Sequence, residues 1–487
     1  MQKRPLPEFA PDSALLDLEA SELLENVYPS MLGYGPVPSF EPIGNPAPET
    51  PLGGISFKDS AGAAHIIIGT KTSLYLLDPL KSKWVNISKK GVSYDLIPGS
   101  FWSFVKFGYL IIAVCPDYPP QAFDIRSVDV FRDLGGNPPE ARSVTVWENF
   151  VVLQNIKGHP NRIMWSGLDD AEWWTVGQRS CDYQDFADGG AVMGSTSSSN
   201  PIIFLENAIY FGTFNPASSL IFTFANHLVG RGAKAERSII SLDEGAFFLS
   251  QDGFCHVNRA GAIDKIGFGK VDKYLAINTL VSDSEAIFGC HDPVTSRVYW
   301  GVRLNNVHDY YDTLLAYDYT LQKWAMIKVA MHLVMPLYVN GIALEQLDII
   351  SKDLDKLPYS LDSKIWQSGG VQLGACDKNL RIGTFSGKPM PATIQTQEIS
   401  IAPLAYARLK NCSLFIDNIG YEVQIGHRSS LQEKIHWEKE QKITSGRGAT
   451  VKHYRDRYFT VRFKIQSDLN WNVASAWSYD LEPAGLR

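Results

Sequence analysis

The feature that most constrains this chain is a long succession of short β-like runs separated by turn residues. It begins near residue 52 and continues for roughly 280 residues with almost no helical periodicity. Several turn sequences lie between two β-rich runs: Glu148-Asn149, Glu206-Asn207, Asp243-Glu244-Gly245, Gln251-Asp252-Gly253 and Asp292-Pro293. The pattern therefore predicts consecutive antiparallel hairpins.

A weak internal repeat gives some of these hairpins a common form. An apolar run ends in Asp78 and is followed by Lys83-Trp84, and a second run ends in Asp318 and is followed by Lys323-Trp324. The Asp carboxylate can accept turn N–H groups, and the Trp can pack between sheets. Looser copies end at Asp124, before Val130-Phe131, and at Asp292, before Val298-Tyr299-Trp300. Four-stranded units repeating at about 40–50 residues predict an all-β fold built on a β-propeller.

Residues 1–51 differ from the rest of the chain in composition, since they hold ten of the 27 prolines. Residues 13–26 predict a short helix with Ser13 as its N-cap, and the remainder is predicted to be extended. This proline-rich N-terminal arm also carries aromatic residues that a free linker would not need. We expect it to lie on the surface of its own subunit or of a neighbour, with Tyr28, Tyr34 and Phe40 as candidate subunit-locking residues.

The rest of the chain divides into three predicted regions. Residues 52–335 form the propeller core, and residues 336–392 form a mixed insertion or connecting segment whose charged stretch 345–362 reads as partly helical. Residues 393–487 return to β-like runs. They form either a separate β domain or the last blades of the propeller.

Composition excludes several classes of protein. Forty-five Lys and Arg against 52 Asp and Glu give a net charge of −7, which is not that of a polycation coating nucleic acid. The six cysteines include no C-x-x-C pair, so we expect buried thiols in a chain folded in the cytoplasm, with no zinc cluster or disulfide scaffold. No secretory signal or bilayer-spanning segment is predicted.

Motifs for catalysis or cofactor binding are not found. The chain lacks Gly-x-Ser-x-Gly, a P-loop and the Rossmann fingerprint, and His227, His256 and His291 have no convincing set of partner ligands nearby. A glycosidase needs a pair of carboxylates, for which Asp169, Asp170 and Glu172 are candidates. The simpler interpretation is that these residues form a turn closed by Trp173-Trp174. We therefore predict no enzyme activity, no cofactor and no metal.

One charged segment supports a hypothesis of binding. Residues 442–464 contain seven basic residues and the single acid Asp456, with aromatic residues interleaved. Because alternate residues of a strand share a face, Arg455 and Arg457 are expected to point the same way. The candidate contacts to DNA or an acidic partner are Lys442, Arg447, Lys452, Arg455 and Arg457. A solvated strand face, or salt bridges between subunits, is the alternative.

The order of segments resembles the tail nozzle (tail hub) proteins of short-tailed bacteriophages, the podoviruses, also called packaged-DNA stabilisation proteins. The resemblance covers about residues 25–330. The segments that carry it are Tyr28-Pro29, Gly33–Pro36 and Pro38-Ser39; Gly69 and Leu74-Tyr75; Trp102, Phe104, Phe107-Gly108 and Ile111-Ile112-Ala113; Pro119-Pro120-Gln121 and Phe123-Asp124; Pro138-Pro139, Ala141-Arg142 and Phe150-Val151-Val152-Leu153; Arg162, Trp165-Ser166-Gly167, Asp169-Asp170 and Trp174-Thr175; Asp188-Gly189-Gly190; and Phe247-Phe248-Leu249-Ser250 with Asp252-Gly253-Phe254.

This resemblance implies a non-catalytic virion structural protein. Its expected form is a hexameric ring of propeller-bearing subunits below the portal and adaptor rings, enclosing the channel through which double-stranded DNA is retained and then ejected. The implied partners are further copies of the chain, the adaptor (head-to-tail connector), and tailspike or tail fibre and needle proteins. The implied location is the virion tail after assembly in the host cytoplasm, with no membrane anchor. Residues 442–464 would then contact an adaptor, tailspike or neighbouring subunit.

Two other functions remain open from the sequence. The chain could be a glycan-binding or glycan-cleaving propeller, although such enzymes usually need a secretory signal. It could also be an adaptor propeller that scaffolds cellular partners, although its arm lacks the polar, low-complexity character of regulatory tails.

Overall fold

In the computed structural model, most of the described residues lie in or next to short β-strands. The described residues are 2–13, 19–60, 62–78, 83–127, 129–218, 220–279, 287–292, 294–304, 308–338, 370–402, 405–418, 420–443, 449–467 and 469–485. For residues 78 and 449–453 only the backbone is described.

The N-terminal arm is made of short strands. They are β1 Gln2–Pro5, β2 Glu8–Phe9, β3 Ala20–Ser21, β4 Leu24–Glu25, β5 Val27–Ser30, β6 Gly33–Pro36 and β7 Pro38–Ile43. The helix predicted over residues 13–26 is wrong where it is described, since β3 and β4 occupy residues 20–25, and 14–18 lie outside the described residues. Leu24 is fully buried in a core shared with distant strands, so tertiary burial overrides local helix propensity here.

Antiparallel sheets of four strands follow, and we call each a blade. Blade one is β8 Gly53–Lys58, β9 Ala64–Gly69, β10 Leu74–Asp78 and β11 Lys83–Asn86; blade two is β12 Ser103–Phe107, β13 Leu110–Cys115, β14 Tyr118–Asp124 and β15 Arg132–Asp133; blade three is β16 Ala141–Trp147, β17 Phe150–Ile156, β18 His159–Trp165 and β19 Asp182–Asp185. Within each blade, neighbouring strands follow one another in the chain, which is the succession of hairpins that the sequence predicts.

The next blades repeat this order. Blade four is β20 Val192–Ser195, β21 Ile202–Leu205, β22 Ala208–Phe214 and β23 Phe222–Val229; blade five is β24 Ile240–Leu242, β25 Gly245–Ser250, β26 Gly253–Asn258 and β27 Ile263–Lys265; blade six is β28 Ile287–Asp292, β29 Arg297–Val302, β30 Tyr311–Asp318 and the first half of β31 Lys323–Tyr338. A short 3-10 helix, Glu236–Ser238, precedes blade five, and helix α1, Asp272–Asn278, follows it.

The seventh blade is assembled from both ends of the propeller sequence. The second half of β31 pairs with β32 Val371–Asp377, which pairs with β33 Ile382–Pro389. Strand β7 of the N-terminal arm then pairs antiparallel with β33, from Ile43 opposite Ile382 to Pro38 opposite Pro389. The arm therefore supplies the outermost strand of the last blade.

The blades close into a ring, because a hydrophobic cluster lies at each of the seven interfaces between neighbouring blades in the described part of the chain. At the closing interface, Ile68 and Trp84 of blade one pack with Leu337 and Cys376 of blade seven. The first strands of the blades face the axis, and the second half of β31 lies against β8. The prediction of an all-β propeller is confirmed.

The remaining strands form a two-sheet sandwich. They are β34 Ala392–Gln395, β35 Ala407–Ile416, β36 Tyr421–Arg428, β37 His436–Trp437, β38 Gln441–Lys442, β39 Ala449–Asp456, β40 Tyr458–Ile465 and β41 Ala474–Pro483. One sheet has the order β39-β35-β41-β6-β5, with β1 also on β41; in the other, β40 lies between β34 and β36. Buried residues of both sheets share one core with the interface of blades five and six.

The predicted domain boundaries change accordingly. The propeller does not end at residue 335, because the described residues of 336–392 supply β32 and β33 of blade seven instead of an insertion; the stretch 345–362 lies outside the described residues. Residues 393–487 do not complete the propeller. They form the sandwich, because their strands pair with one another and with the arm.

The sequence repeat corresponds to equivalent hairpins between the third and fourth strands of blades one and six. Leu77 lies opposite Trp84, and Tyr317 lies opposite Trp324. The Asp318 carboxylate accepts the turn N–H groups of Thr320 and Leu321 at 3.2 and 2.9 Å, as predicted.

Replacing Trp324 with alanine should remove one of the largest packing elements of the core. Trp324 is fully buried, contacts the rings of Phe254 and Trp300, and donates its indole N–H to the Ile266 carbonyl at 2.9 Å. We expect a loss of about 3–5 kcal/mol in unfolding free energy, measured by urea unfolding. Trp173→Ala, at a half-buried indole, should cost clearly less, and equal losses would contradict the packing described here.

Removing β7 should leave the last blade without its outermost strand. We expect a chain lacking residues 1–46 to lose hydrogen-exchange protection across β33, because that strand would become an unpaired edge. A chain lacking residues 1–36 keeps β7 and serves as the control. If β33 amides stay protected in the 1–46 deletion, β7 is not what closes the blade.

Candidate binding surfaces

The aromatic residues predicted to lock subunits together are engaged within their own chain. Tyr28 contacts Tyr299 edge-on, with ring centroids 6.4 Å apart, and lies under the Arg297 guanidinium. Tyr34 is buried and donates its hydroxyl to the Pro7 carbonyl at 2.8 Å. Phe40 lies opposite Phe385 on β33. Tyr34 is buried, whereas Tyr28 and Phe40 are half-buried against the propeller of their own chain, and their contact with a neighbouring subunit stays a prediction.

The basic segment at residues 442–464 separates into two parts. Lys464 pairs with Glu440, and Arg462 donates to Gln395 at 2.6 Å and stacks on Trp437. Lys442 lies opposite Glu422 across the strand pair, so it belongs to a ladder of alternating charges. These residues match the alternative of a solvated, charge-paired strand face.

Two arginines of the segment form a different arrangement. Arg455 and Arg457 both lie over the ring of Tyr406, with guanidinium carbons 5.0 and 4.7 Å from the ring centroid, so they share a face as predicted. Exposed Arg408 lies opposite Arg455 on the neighbouring strand. We call Tyr406, Arg408, Arg455 and Arg457 the arginine patch. Arg447 and the side chain of Lys452 lie outside what the structure describes.

The charge of the arginine patch is not neutralised by ion pairs among the described residues. Glu482, which lies opposite Arg408 on β41, pairs with Lys410. The Nε atom of Arg457 is buried and has no hydrogen-bond partner there. Like charges on neighbouring strands repel one another, so this patch favours an anionic partner.

A second exposed feature lies at the other edge of the same sheet. Met31 and Leu32, at the turn between β5 and β6, are 92% and 72% exposed. We call these two residues the apolar hairpin tip. Two large, exposed apolar side chains at a hairpin turn are a candidate contact with another protein.

The carboxylates considered for glycosidase chemistry are turn residues. Asp170 accepts the Glu172 N–H at 3.0 Å and pairs with Arg179, while Glu172 pairs with Arg132. The hydrogen bond from Arg132 lowers the pKa of Glu172, whereas a general acid needs a raised pKa. The interpretation as a turn is confirmed.

A cleft of about 1150 Å³ opens beside blades five and six. One wall of the cleft is aromatic and consists of Phe247, Tyr317 and Tyr319. The ring centroid of Phe247 lies 5.8 Å from that of Tyr317 and 5.9 Å from that of Tyr319. His256 and His291 also line it, and burial lowers the pKa of both imidazoles. The acids Asp243, Glu244 and Asp264 complete its rim.

A smaller cavity of about 610 Å³ is rich in arginine. Arg142 and Arg237 lie over Phe101, each 5.7 Å from the ring centroid, and Arg303 also lines the cavity. Arg142 pairs with Glu236 at 2.6 Å. Burial raises the pKa of the Glu236 carboxyl, against the opposing effect of Arg142. This cavity can hold an anionic group.

Sequence reasoning missed one cluster with metal-binding chemistry, formed by His427, His436 and Glu438. The signal was a His-x8-His-x-Glu spacing, which only a hairpin brings together. The six cysteines are buried and unpaired, as predicted, and burial raises the pKa of each thiol, for example that of Cys115 to about 12.

Neither a protein-family model nor a curated protein matches this sequence. Similar solved structures include the computationally designed Ika8 protein (10% identity, TM-score 0.37, covering 79% of this chain and 99% of that one). A chain of the mitotic checkpoint complex is also similar, with 10% identity and a TM-score of 0.35, covering 61% of this chain and 94% of that one. BamB from Moraxella catarrhalis has 12% identity and a TM-score of 0.36, covering 76% of this chain and 94% of its own. At these TM-scores the similarities carry no argument about function.

The sheets themselves define the class: the chain is a β-propeller protein with a β-sandwich attached. Among the described helices, none has the length and hydropathy needed to span a bilayer.

Replacing Asp272, the first residue of helix α1, with asparagine should stabilise the folded protein. Burial raises the Asp272 pKa from 3.8 to about 6; Oδ1 accepts the Phe254 N–H, and Oδ2 has no partner among the described residues. The folded state therefore favours the protonated form, and this group's contribution to stability rises as pH falls from about 7 to 4. After allowance for solvent screening, Asp272→Asn should gain about 1–2 kcal/mol at pH 7.5 and little at pH 4.

Thermal midpoints at both pH values measure this difference. Asp264→Asn, at an exposed carboxylate, is the control and should change neither midpoint. An Asp272→Asn chain no more stable than the unmodified one at pH 7.5 would contradict the assigned cost of burying this charge.

Proposed function

We propose that this protein is a structural subunit of a short-tailed phage nozzle. The subunits form a ring below the portal and adaptor, and the resemblance implies six copies. The ring retains packaged DNA and conducts it during ejection. The observation that carries the proposal is the place of the resembling residues in the fold. Some of them occupy framework positions, where a buried neighbour or the backbone leaves no room for another side chain.

Gly69 and Trp102 illustrate this constraint. A Cβ on Gly69 would lie 2.3 Å from the Trp102 ring, and the Trp102 indole donates to the Thr70 carbonyl at 2.9 Å. Gly33, in the arm, has φ +140°, and a Cβ there would lie 2.1 Å from the Ala474 carbonyl oxygen on β41. Residues of the resemblance that the backbone itself requires support a similar framework, and they support no catalytic role.

The sandwich sheet offers what a ring of identical subunits needs. A head-to-tail contact uses two different surfaces of one subunit. The arginine patch lies on β35 and β39 and the residues next to them, at one edge of this sheet, and the apolar hairpin tip joins β5 and β6 at the other. We infer that these two features contact neighbouring subunits or the adaptor.

The charge balance suits a DNA conduit. A net charge of −7 disfavours tight binding of phosphates, and DNA has to slide past such a subunit during ejection. The arginine patch is local, so it serves contact with tail proteins in this proposal. Tailspike or fibre and needle proteins are further partners on the same reasoning, and the mature location is the virion tail.

Light scattering of the purified protein, with and without phage neck proteins, tests the assembly. We expect a ring of about six copies, formed alone or on an adaptor. Arg455→Ala with Arg457→Ala should weaken assembly by about tenfold or more, because arginines at interface centres contribute disproportionately. Arg179→Ala, which removes a guanidinium stacked on Trp173 on the propeller, is the matched control. A chain that stays monomeric with every neck protein would overturn the proposal.

The cleft beside blades five and six favours a second function, glycan binding. An aromatic wall next to carboxylates is the kind of surface on which a sugar ring stacks and donates hydrogen bonds. Binding on a glycan array that is lost in Phe247→Ala or Tyr319→Ala, with assembly unchanged, would support this function. No binding to any glycan would remove it.

A further inference from the structure

Three potential ligand side chains converge on one face of the sandwich. His427 on β36 lies directly opposite His436 on β37, and Glu438 follows two residues later on the same side. Glu438 Oε1 lies 3.3 Å from His427 Nε2 and 3.5 Å from His436 Nε2. One ligand atom from each residue lies within 4.8 Å of the other two.

The two separations measured from Glu438 Oε1 fit one tetrahedral metal ion. Bonds of about 2.0–2.2 Å at tetrahedral angles place neighbouring donor atoms about 3.3–3.5 Å apart. Both distances from Glu438 Oε1 to an imidazole nitrogen have this value. Two imidazoles with one carboxylate form a donor set that zinc and similar divalent transition ions prefer over magnesium or calcium.

The hydrogen bonds around the cluster hold His427 in the tautomer that a metal requires. Its Nδ1 lies 2.9 Å from Oδ2 of Asp456, a carboxylate that is 7% exposed. The other oxygen of Asp456 accepts from Ser429 Oγ and the Arg457 N–H at 2.8 and 2.9 Å. This fixed acceptor makes Nδ1–H the donor and directs the Nε2 lone pair towards Glu438.

The lone pair of His427 Nε2 and the carboxylate of Glu438 face each other only when a cation, a proton or a metal ion, lies between them. Glu438 is itself oriented, because the Tyr454 hydroxyl donates to its Oε2 at 3.2 Å. A hydrogen-bonded carboxylate behind the ligand histidine is the usual support of a protein metal site.

We propose that His427 Nε2, His436 Nε2 and Glu438 Oε1 bind one zinc-class divalent ion, with Asp456 and Tyr454 as positioning residues. The His436 side chain is 72% exposed, so the fourth coordination position opens to solvent and takes water or a ligand from a partner. Bound metal fastens β37 to β36 across their connecting turn. The site depends on the sandwich alone and not on the proposed nozzle function.

Zinc titration of the chelator-treated, full-length protein by calorimetry tests the site. We expect one zinc ion per chain, with binding lost in His436→Ala and in Glu438→Gln. Asp456→Asn should weaken binding 10–100-fold through loss of the support to His427. His159→Ala removes an exposed histidine on blade three and should leave binding unchanged.

Cobalt(II) gives an independent readout of geometry. The unmodified protein should show the intense visible absorption of four-coordinate cobalt, and His436→Ala should not. Since His436 is exposed, its variant should fold normally, and metal-free thermal midpoints equal to that of the unmodified protein verify this. The proposal is overturned if the full chain takes up no zinc, or if uptake is the same in His436→Ala and Glu438→Gln as in the unmodified chain.

Discussion

The pairing of β7 with β33 is the interaction on which the rest of the structure depends. A propeller buries apolar surface between neighbouring blades, so a ring with an incomplete blade would expose one side of two interfaces. Here the last blade takes its outermost strand from the start of the chain, and Phe40 meets Phe385 across that pair. Closure therefore joins residues about 340 positions apart, as a long-range contact that only the complete chain can form.

The same arm also joins the propeller to the sandwich. Strands β1 and β6 pair with β41, and β4 lies between β31 of the propeller and β34 of the sandwich. The apolar core of blades five and six continues into the sandwich core through arm residues such as Leu24 and Tyr34. The propeller and the sandwich are thus held together by buried apolar contacts, which suits the proposed role in an assembly under mechanical load.

Strand pairing also decides which basic residues have an ion-pair or hydrogen-bond partner. On β40, Lys464 pairs with Glu440 and Arg462 donates to Gln395. Arg455 and Arg457 instead lie over the Tyr406 ring, and Arg455 is opposite Arg408. A charge count along residues 442–464 treats all of these residues alike. Their neighbours in the sheet distinguish them, and the same pairing brings His427, His436 and Glu438 together.

The sequence by itself determined the hairpins, their turns and the class of fold, because alternation, turn residues and the Asp–Trp repeat are local signals. It also identified the Asp169–Glu172 region as a turn and put Arg455 and Arg457 on one face. Only the tertiary structure decided the number of blades, the closing strand, the sandwich, the strands in place of a helix near Leu24, and the histidine cluster. The physical reason is that each of these rests on pairing or burial between residues far apart in the chain, which no local period encodes.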